Sequence, residues 1–184
     1  MLDQVEIFHG LSREELAALE DSSSSENYPK NSVVIQENEP ADALYVIESG
    51  RVKVYCSDKN GKEFIMNSLG VGDYFGELAL LDDSARSASV RTVEPCQFRI
   101  VKKEDFSRVL TDNPGRTQQL LGNLAARVRK LTTDVKNLAL QDVYGRVANV
   151  LMDLSHERGG GTLFVPEKLT QQDIADRVGA SREM

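Results

Sequence analysis

The chain has 184 residues, of which 40% are hydrophobic and 28% are charged, and its formal net charge is −7. These proportions are ordinary for a soluble protein, and the acidic charge argues against a nonspecific nucleic-acid binder. No apolar run approaches the roughly 20 residues that a transmembrane helix needs, and the N-terminus carries Asp3 and Glu6 where a secretion signal would be basic. We therefore expect a cytoplasmic protein without a membrane partner.

Short strands separated by turns are predicted for the N-terminal half. Ser12 and Glu15 have the spacing of a capping box, which predicts the start of a short helix. Residues 22–25 are expected to be a polar spacer before the first strand. The predicted strands, which are β-branched or aromatic runs, cover residues 33–35, 43–47, 52–55, 64–66, 89–93 and 96–101. Asn60-Gly61 is a typical hairpin turn, and this spacing of strands predicts a small antiparallel barrel or jelly roll.

Residues 75–88 have the features of a site for a phosphate-bearing ligand. A helix that begins near Gly76 would direct unpaired backbone N–H groups and the positive end of its dipole toward an anion. Arg86 can hold phosphate oxygens, and Ser87 can donate its hydroxyl proton. Glu77 would repel a phosphate, so its carboxylate is expected to accept hydrogen bonds from ribose hydroxyls. These groups predict a nucleotide pocket; the alternative is a structural salt bridge between Glu77 and Arg86 without a ligand.

The sequence offers little support for metal or catalytic chemistry. Cys56 and Cys96 are the only cysteines, and two isolated cysteines make neither a zinc site nor a four-thiolate iron–sulfur cluster. Both thiols are expected to be buried and inert. Because the chain also lacks a nucleophile–base pair and a Gly-Lys-Ser/Thr phosphate loop, we predict no metal, no catalytic residue and no enzyme activity.

A long helix is predicted to start at Asn113-Pro114, since proline is favoured in the first helical turn. Within it, one threonine and six apolar residues follow alternating spacings of four and three residues, which are typical of a coiled coil. This seam, over residues 117–138, consists of Thr117, Leu121, Leu124, Val128, Leu131, Val135 and Leu138. We predict that it joins two chains into a homodimer with two-fold symmetry. The alternative is an amphipathic helix that packs on its own domain.

The C-terminal segment has the pattern of a helix-turn-helix. The sequence first predicts a helix, a glycine turn and a short strand, over residues 143–154, 159–161 and 162–165. Thr170 with Asp173 then predicts a capped helix, Gly179 predicts a turn, and Ser181 predicts the cap of the next helix. Because the sequence stops in the first turn of that helix, at Met184, we expect it to be a fragment.

Several motifs follow one another in the order of a known family. Phe75-Gly76-Glu77-Leu78-Ala79-Leu80, followed by Arg86-Ser87-Ala88, is similar to the phosphate-binding cassette of cyclic nucleotide-binding domains. The other matching motifs are Ser49-Gly50-Arg51-Val52, Gly61-Lys62-Glu63, Gly72-Asp73, Asn137-Leu138-Ala139, Asp142-Val143-Tyr144-Gly145-Arg146-Val147 and Ser181-Arg182-Glu183. Over nearly its whole length the chain therefore resembles Crp/Fnr-type bacterial transcription regulators.

This resemblance implies an α+β fold in three parts. An antiparallel β-roll or jelly-roll cyclic nucleotide-binding domain would cover residues 1–112, and a long dimerisation helix would cover residues 113–140. Residues 141–184 would be the N-terminal part of a winged helix-turn-helix DNA-binding domain.

The resemblance also implies roles for the residues of the pocket. Gly76, Glu77 and Leu78 would contact the ribose and the phosphate edge, while Arg86 and Ser87 would hold the cyclic phosphate.

Two residues of the long helix, and three beyond it, complete the implied sites. Arg127 would lie near the carboxylate that binds the ribose, and Thr132 would reach the base from the partner subunit. Leu131 replaces a second hydroxyl residue of cAMP-binding family members, which leaves the choice of base open. The residues expected to contact DNA are Ser181, Arg182 and Glu183.

The resemblance implies a dimeric transcription regulator that responds to a cyclic nucleotide, with cAMP as the expected effector. Ligand binding in the β-roll would reposition the DNA-binding domains through the long helix. The partners would be double-stranded DNA, once the helix-turn-helix is complete, and RNA polymerase. One alternative is a regulator of this type with a lost or different effector. Another is a cyclic nucleotide-binding module that does not act on DNA, for which the helix-turn-helix pattern would be superfluous.

Overall fold

Antiparallel strands form the N-terminal part of the chain, where the sequence predicts them. The structure is a computed structural model and describes residues 2–157, 162–166 and 168–180. Two short 3-10 helices, Leu2–Gln4 and Glu6–Phe8, precede helix α1 (Arg13–Ser22). The strands are β1 (Ser24–Tyr28), β2 (Val33–Ile35), β3 (Ala43–Ser49), β4 (Val52–Ser57), β5 (Glu63–Leu69), β6 (Tyr74–Phe75), β7 (Ser89–Thr92) and β8 (Cys96–Lys102). The single-turn helix α2 (Leu78–Leu81) lies between β6 and β7.

The strands form two four-stranded sheets around one apolar core. One sheet has the strand order β1-β8-β3-β6 and the other has the order β2-β7-β4-β5. Buried side chains from both sheets pack together, namely Ile35, Ile47, Val52, Phe75, Val90, Cys96 and Phe98. Because every strand predicted from an apolar run is present and the two sheets share a core, the predicted antiparallel roll is confirmed.

Strand β3 is buried on both of its faces. Tyr45 and Ile47 pack in the core between the sheets, whereas Leu44 and Val46 point to the opposite face and are buried as well. Helix α3 (Lys103–Asp112) contacts β3 and β8 on that side, and α1 also contacts β8. The strand is therefore held between the core and a layer of helices.

Strand β1 is an edge strand that the sequence pattern does not predict. Residues 22–25 were expected to be a spacer, but Ser22 ends α1 and Ser24 begins β1. The sequence of β1 has no alternation of apolar and polar residues, and only Tyr28 is partly buried. The strand pairs along its whole length with β8, and the ring of Tyr28 lies 5.3 Å from that of Phe98. Backbone pairing, the contact of Tyr28 with Phe98, and hydrogen bonds of the Ser25 hydroxyl with Glu48 and Gln97 hold this strand in place.

The contacts within the chain divide it into two units. One unit is Met1–Cys56 with Met66–Asn123, and the other is Ser57–Ile65 with Leu124–Met184. Helix α4 (Pro114–Leu140) begins at the predicted proline and runs for 27 residues. The elements that follow it are α5 (Val143–Asp153), β9 (His156–Glu157), β10 (Leu163–Phe164) and α6 (Gln171–Val178). The glycine turn predicted at residues 159–161 lies outside the described residues.

Helices α5 and α6 begin and end where the sequence predicts. Asp142 caps α5 by accepting a hydrogen bond from the Gly145 N–H at 2.8 Å. Thr170 and Asp173 form the predicted capping box of α6, and Gly179 ends that helix with a φ of 66°. Of the helices in the described ranges, none combines the length and the apolarity that crossing a membrane requires.

Candidate functional site

The segment that connects β6 to β7 carries the candidate site. Phe75 is buried in the core and anchors the start of the segment, and Gly76 turns the chain with a φ of 90°, which favours glycine. The helix predicted near Gly76 is the single turn α2, which begins at Leu78 with Glu77 as its N-cap. The N–H groups of Leu78 and Ala79 lie in this first turn, where the helix itself supplies no acceptor.

The guanidinium of Arg86 is buried against backbone carbonyl groups. Its side chain is only 5% exposed. Nη1 donates a hydrogen bond to the carbonyl oxygen of Gly76 at 2.8 Å, and Nη2 donates to that of Ala43 at 2.9 Å. Since a guanidinium has five N–H donors, it can also donate to a bound anion while these two bonds persist.

The segment 38–43, between β2 and the start of β3, also holds the main chain of Arg86. The Arg86 N–H donates to the Glu39 carbonyl at 2.8 Å, and the Asn38 N–H donates to the Arg86 carbonyl at 2.9 Å. Asn38 has a φ of 68°, a conformation that asparagine tolerates better than most residues. The sequence marks Asn38 and Glu39 only as turn residues, so these contacts could not be predicted from it.

One carboxylate lies close to the Arg86 guanidinium, and two others act on it electrostatically. The carboxylate of Asp42 lies 3.9 Å from Nη2. Burial lowers the pKa of Arg86, whereas Tyr45, Asp42, Glu77 and Glu39 oppose that shift. The group remains a cation at physiological pH, because arginine is not deprotonated in proteins.

Glu77 and Leu78 differ in exposure. Glu77 is 2% exposed, and its side chain does not cap α2. A ribose hydroxyl group can donate a hydrogen bond to this carboxylate. Leu78 is an exposed apolar residue, as expected for a side chain that covers a ligand.

The thiol of Cys56 lies near the backbone of Ser87 and the sulfur atom of Met66. Ser87 is exposed, and its carbonyl oxygen is 3.9 Å from the Cys56 Sγ. The same Sγ lies 3.3 Å from the Met66 Sδ. Burial raises the pKa of the Cys56 thiol, and the carboxylate of Glu37 adds to that shift. Cys56 is only half-buried, in contrast to Cys96, so the expectation of two buried thiols is met by Cys96 alone.

The predicted ligand residues fall into two groups. Gly76, Glu77, Leu78, Arg86 and Ser87 lie together in the first unit. Two others, Arg127 and Thr132, lie on the part of α4 that belongs to the second unit. The Thr132 hydroxyl donates to the Val128 carbonyl of its own helix at 2.9 Å.

The predicted DNA contacts, Ser181, Arg182 and Glu183, lie outside the described residues. The elements that precede them are described, and Arg146 connects two of those elements. Its Nε donates to the carbonyl of Val178 at 3.0 Å, and its Nη1 donates to that of Gln141 at 3.0 Å. Arg146 thereby fixes the end of α6 to the start of α5.

Comparisons with known proteins agree with this geometry. Residues 25–113 match the family described as cyclic nucleotide-binding domain. A CRP-like cAMP-activated global transcriptional regulator of Mycobacterium tuberculosis is 36% identical over 186 residues, which cover 100% of this chain and 83% of the relative. The cAMP-activated global transcriptional regulator CRP of Haemophilus influenzae is 37% identical over 159 residues, which cover 85% of this chain and 71% of the relative.

A solved structure extends the similarity to both units. The c-di-GMP responsive global regulator CLP of Xanthomonas campestris matches with a TM-score of 0.78 at 25% identity, over 94% of this chain and 87% of that chain. Sequence and fold agree along almost the whole chain, from the cassette to the helices that follow α4. The chain belongs to the Crp/Fnr family of transcription regulators.

Proposed function

We propose that this chain is a cAMP-responsive transcription regulator that acts in the cytoplasm as a homodimer on double-stranded DNA. The observation that carries the proposal is the buried guanidinium of Arg86, held by two carbonyl groups inside a matched cyclic nucleotide-binding domain. The names of the relatives support cAMP as the effector. They also support a binding role without catalysis.

Each pocket residue is proposed to contact a different part of the ligand or to support such a contact. Arg86 and Ser87 hold the cyclic phosphate, with the α2 amides next to it. Glu77, whose carboxylate is buried, accepts hydrogen bonds from the ribose 2′-hydroxyl. Gly76 provides the space that Arg86 occupies, and Leu78 covers the sugar.

The remaining contacts are proposed to come from α4. Arg127 orients the carboxylate of Glu77, which binds the ribose. Thr132 reaches the base from the partner subunit. Leu131, beside it, has no hydroxyl group, so a base other than adenine is the main alternative. That alternative has independent support, because the similar regulator CLP is described as c-di-GMP responsive.

The homodimer is proposed to form through the seam over residues 117–138. Within one chain, Leu120 is 3% exposed, whereas its neighbour Leu121 is 60% exposed. The other large apolar residues with high exposure on this helix include the seam members Val128, Leu131, Val135 and Leu138. An apolar stripe of this length at a spacing of 3.5 residues favours a second copy of the helix as its partner.

Ligand binding is proposed to act on DNA through α4. Residues 1–112 bind the ligand, residues 113–140 form the dimerisation helix, and residues 141–184 begin the DNA-binding domain. A ligand shifts a conformational equilibrium only through contacts that differ between the two states. Here those contacts are the ones to α4, which leads into the helix-turn-helix. Ser181, Arg182 and Glu183 would contact DNA, and RNA polymerase would be the further partner.

Calorimetric titration of the dimer with cAMP, cGMP and c-di-GMP tests the proposal. We expect saturable binding of cAMP at one site per chain. If c-di-GMP or cGMP binds more tightly than cAMP, that nucleotide is the effector in place of cAMP, and the proposed pocket stands. Binding of none of the three would contradict the proposed function.

A further inference from the structure

We propose that Lys103 is a positioning residue for the cyclic nucleotide, because its side chain holds the connection between α2 and β7 in the conformation that binds the phosphate. The inference rests on the proposed function, since that connection carries Arg86 and Ser87. Lys103 is not assigned a contact with the ligand. It acts through Asp83, with which its ammonium group forms an ion pair.

The main chain of Lys103 lies beside the backbone groups that hold Arg86. Lys103 is the first residue of α3, directly after the end of β8. Its N–H donates a hydrogen bond to the Asp42 carbonyl at 2.9 Å. The next carbonyl along the chain, that of Ala43, accepts the hydrogen bond from the Arg86 Nη2. The backbone at Lys103 is therefore fixed to the segment 38–43.

The side chain of Lys103 extends from this point to the connection between α2 and β7. Its Nζ donates a hydrogen bond to the Oδ1 of Asp83. Asp83 has a φ of 55°, a left-handed conformation that aspartate and asparagine adopt more readily than most residues. It lies two positions after the end of α2 and three positions before Arg86. Lys103 thus joins the phosphate-binding connection to the segment 38–43.

The connection is consequently held at two points before the ligand arrives. Its Arg86 N–H donates to the Glu39 carbonyl at 2.8 Å, and its Asp83 carboxylate is bound by Lys103. Without the ion pair, the residues that lead to Arg86 and Ser87 would have more conformations available. Ligand binding would then have to order them, and ordering a loop on binding lowers affinity.

Substitutions of Lys103 isolate the contribution of its side chain. Lys103→Met keeps an unbranched apolar stem and removes the charge, and the bond to Asp42 remains available because the main chain makes it. The side chains of Lys103 and Asp83 are 33% and 79% exposed, so these variants should fold.

Three further variants complete the set. Asp83→Asn removes the other charge of the pair and suits the same left-handed backbone. Lys103→Arg retains the positive charge. Lys102→Met is the matched control, because it removes one positive charge from an exposed position one residue earlier in the chain.

Calorimetric titration with cAMP measures the affinity of each variant, and urea unfolding measures its stability. We expect Lys103→Met and Asp83→Asn each to weaken cAMP binding by about threefold, the effect of one exposed ion pair. The double variant should bind no more weakly than either single variant, since both changes remove the same interaction. Lys103→Arg and Lys102→Met should bind cAMP like the parent.

The outcomes separate this inference from the proposed function. If cAMP does not bind the parent, the proposed function fails and the inference fails with it. If cAMP binds the parent and Lys103→Met equally well, the proposed function stands and the inference is overturned, even where the stability to urea differs. A loss of affinity in Lys103→Arg as large as that in Lys103→Met would also overturn it. So would losses that multiply to about ninefold in the double variant, because the two residues would then act independently.

Discussion

A methyl group on Gly76 would lie 2.5 Å from the Nη1 of Arg86, so the guanidinium fills the space in which any other residue would place its Cβ. The same hypothetical Cβ would lie 3.3 Å from the Ile35 Cδ1 and 3.4 Å from the Ala43 carbonyl oxygen. Only the Arg86 end of this contact is flexible. The glycine and the arginine of the cassette therefore depend on each other.

We expect Gly76→Ala to displace Arg86 and to weaken cAMP binding by about tenfold or more, which is about 1.4 kcal/mol. Gly72→Ala is the matched control, because Gly72 has a φ of 87° and nothing within 4 Å of its Cβ position. Both variants incur the strain of a positive φ, on the order of 1–2 kcal/mol. Calorimetry should show the loss of affinity for Gly76→Ala alone; equal affinities would show that the contact is irrelevant to the ligand.

Arg86→Ala should weaken cAMP binding strongly, because it removes a buried, charge-assisted partner worth on the order of 2–5 kcal/mol. Arg86→Lys retains the charge but has a single nitrogen for the Gly76 and Ala43 carbonyls. It should bind with intermediate affinity. Circular dichroism and urea unfolding check that the sheets persist. A folded Arg86→Ala variant that titrates like the parent would place the pocket elsewhere.

The seam on α4 predicts the oligomeric state. Leu124→Glu with Leu131→Glu would place like charges across the two-fold axis, which is strongly unfavourable in an apolar interface. Sedimentation velocity at micromolar concentration should show a dimer for the parent and a monomer for this variant. Ala126→Glu with Thr133→Glu adds the same charge at exposed positions two residues beyond the seam positions, and should remain dimeric. A monomeric parent would contradict the seam.

The Cys56 thiol should react slowly with iodoacetamide at neutral pH. Its pKa is raised by burial, so less thiolate is present than for a free cysteine, and the rate should increase as the buffer becomes more alkaline. Saturating cAMP should slow the reaction further, since the Sγ lies 3.9 Å from the Ser87 carbonyl. Mass spectrometry that follows Cys56 and Cys96 separately provides the comparison. A Cys56 rate that cAMP leaves unchanged would argue against a ligand at Ser87.

Local patterns were sufficient to predict the elements that have strong signals of their own. The apolar runs that became β3 and β8, the capping boxes of α1 and α6, and the proline at the start of α4 are examples. Strand β1 was missed because its sequence has no such pattern and it exists through pairing with β8.

The candidate site was predictable in its residues and less so in its contacts. Glu77 and Arg86 stand in a recognisable motif. The partner of the Arg86 Nη2, in contrast, is a carbonyl oxygen 43 residues earlier in the chain. A backbone acceptor has no signature in sequence, because every residue carries one. The sequence likewise does not indicate that the carboxylate of Asp42 lies 3.9 Å from the Arg86 Nη2.

Arg86 is held by one short segment in two ways, through its main chain at Asn38 and Glu39 and through its side chain at Ala43. The main chain and the guanidinium of Arg86 can reach their acceptors together only if the residues from Glu39 to Ala43 span the length of the arginine side chain. An insertion or a deletion within the segment 38–43 would allow one set of bonds at the expense of the other. Apart from Asn38, whose positive φ favours asparagine, and the buried Ala43, this segment should therefore accept changes of residue type far more readily than changes of length.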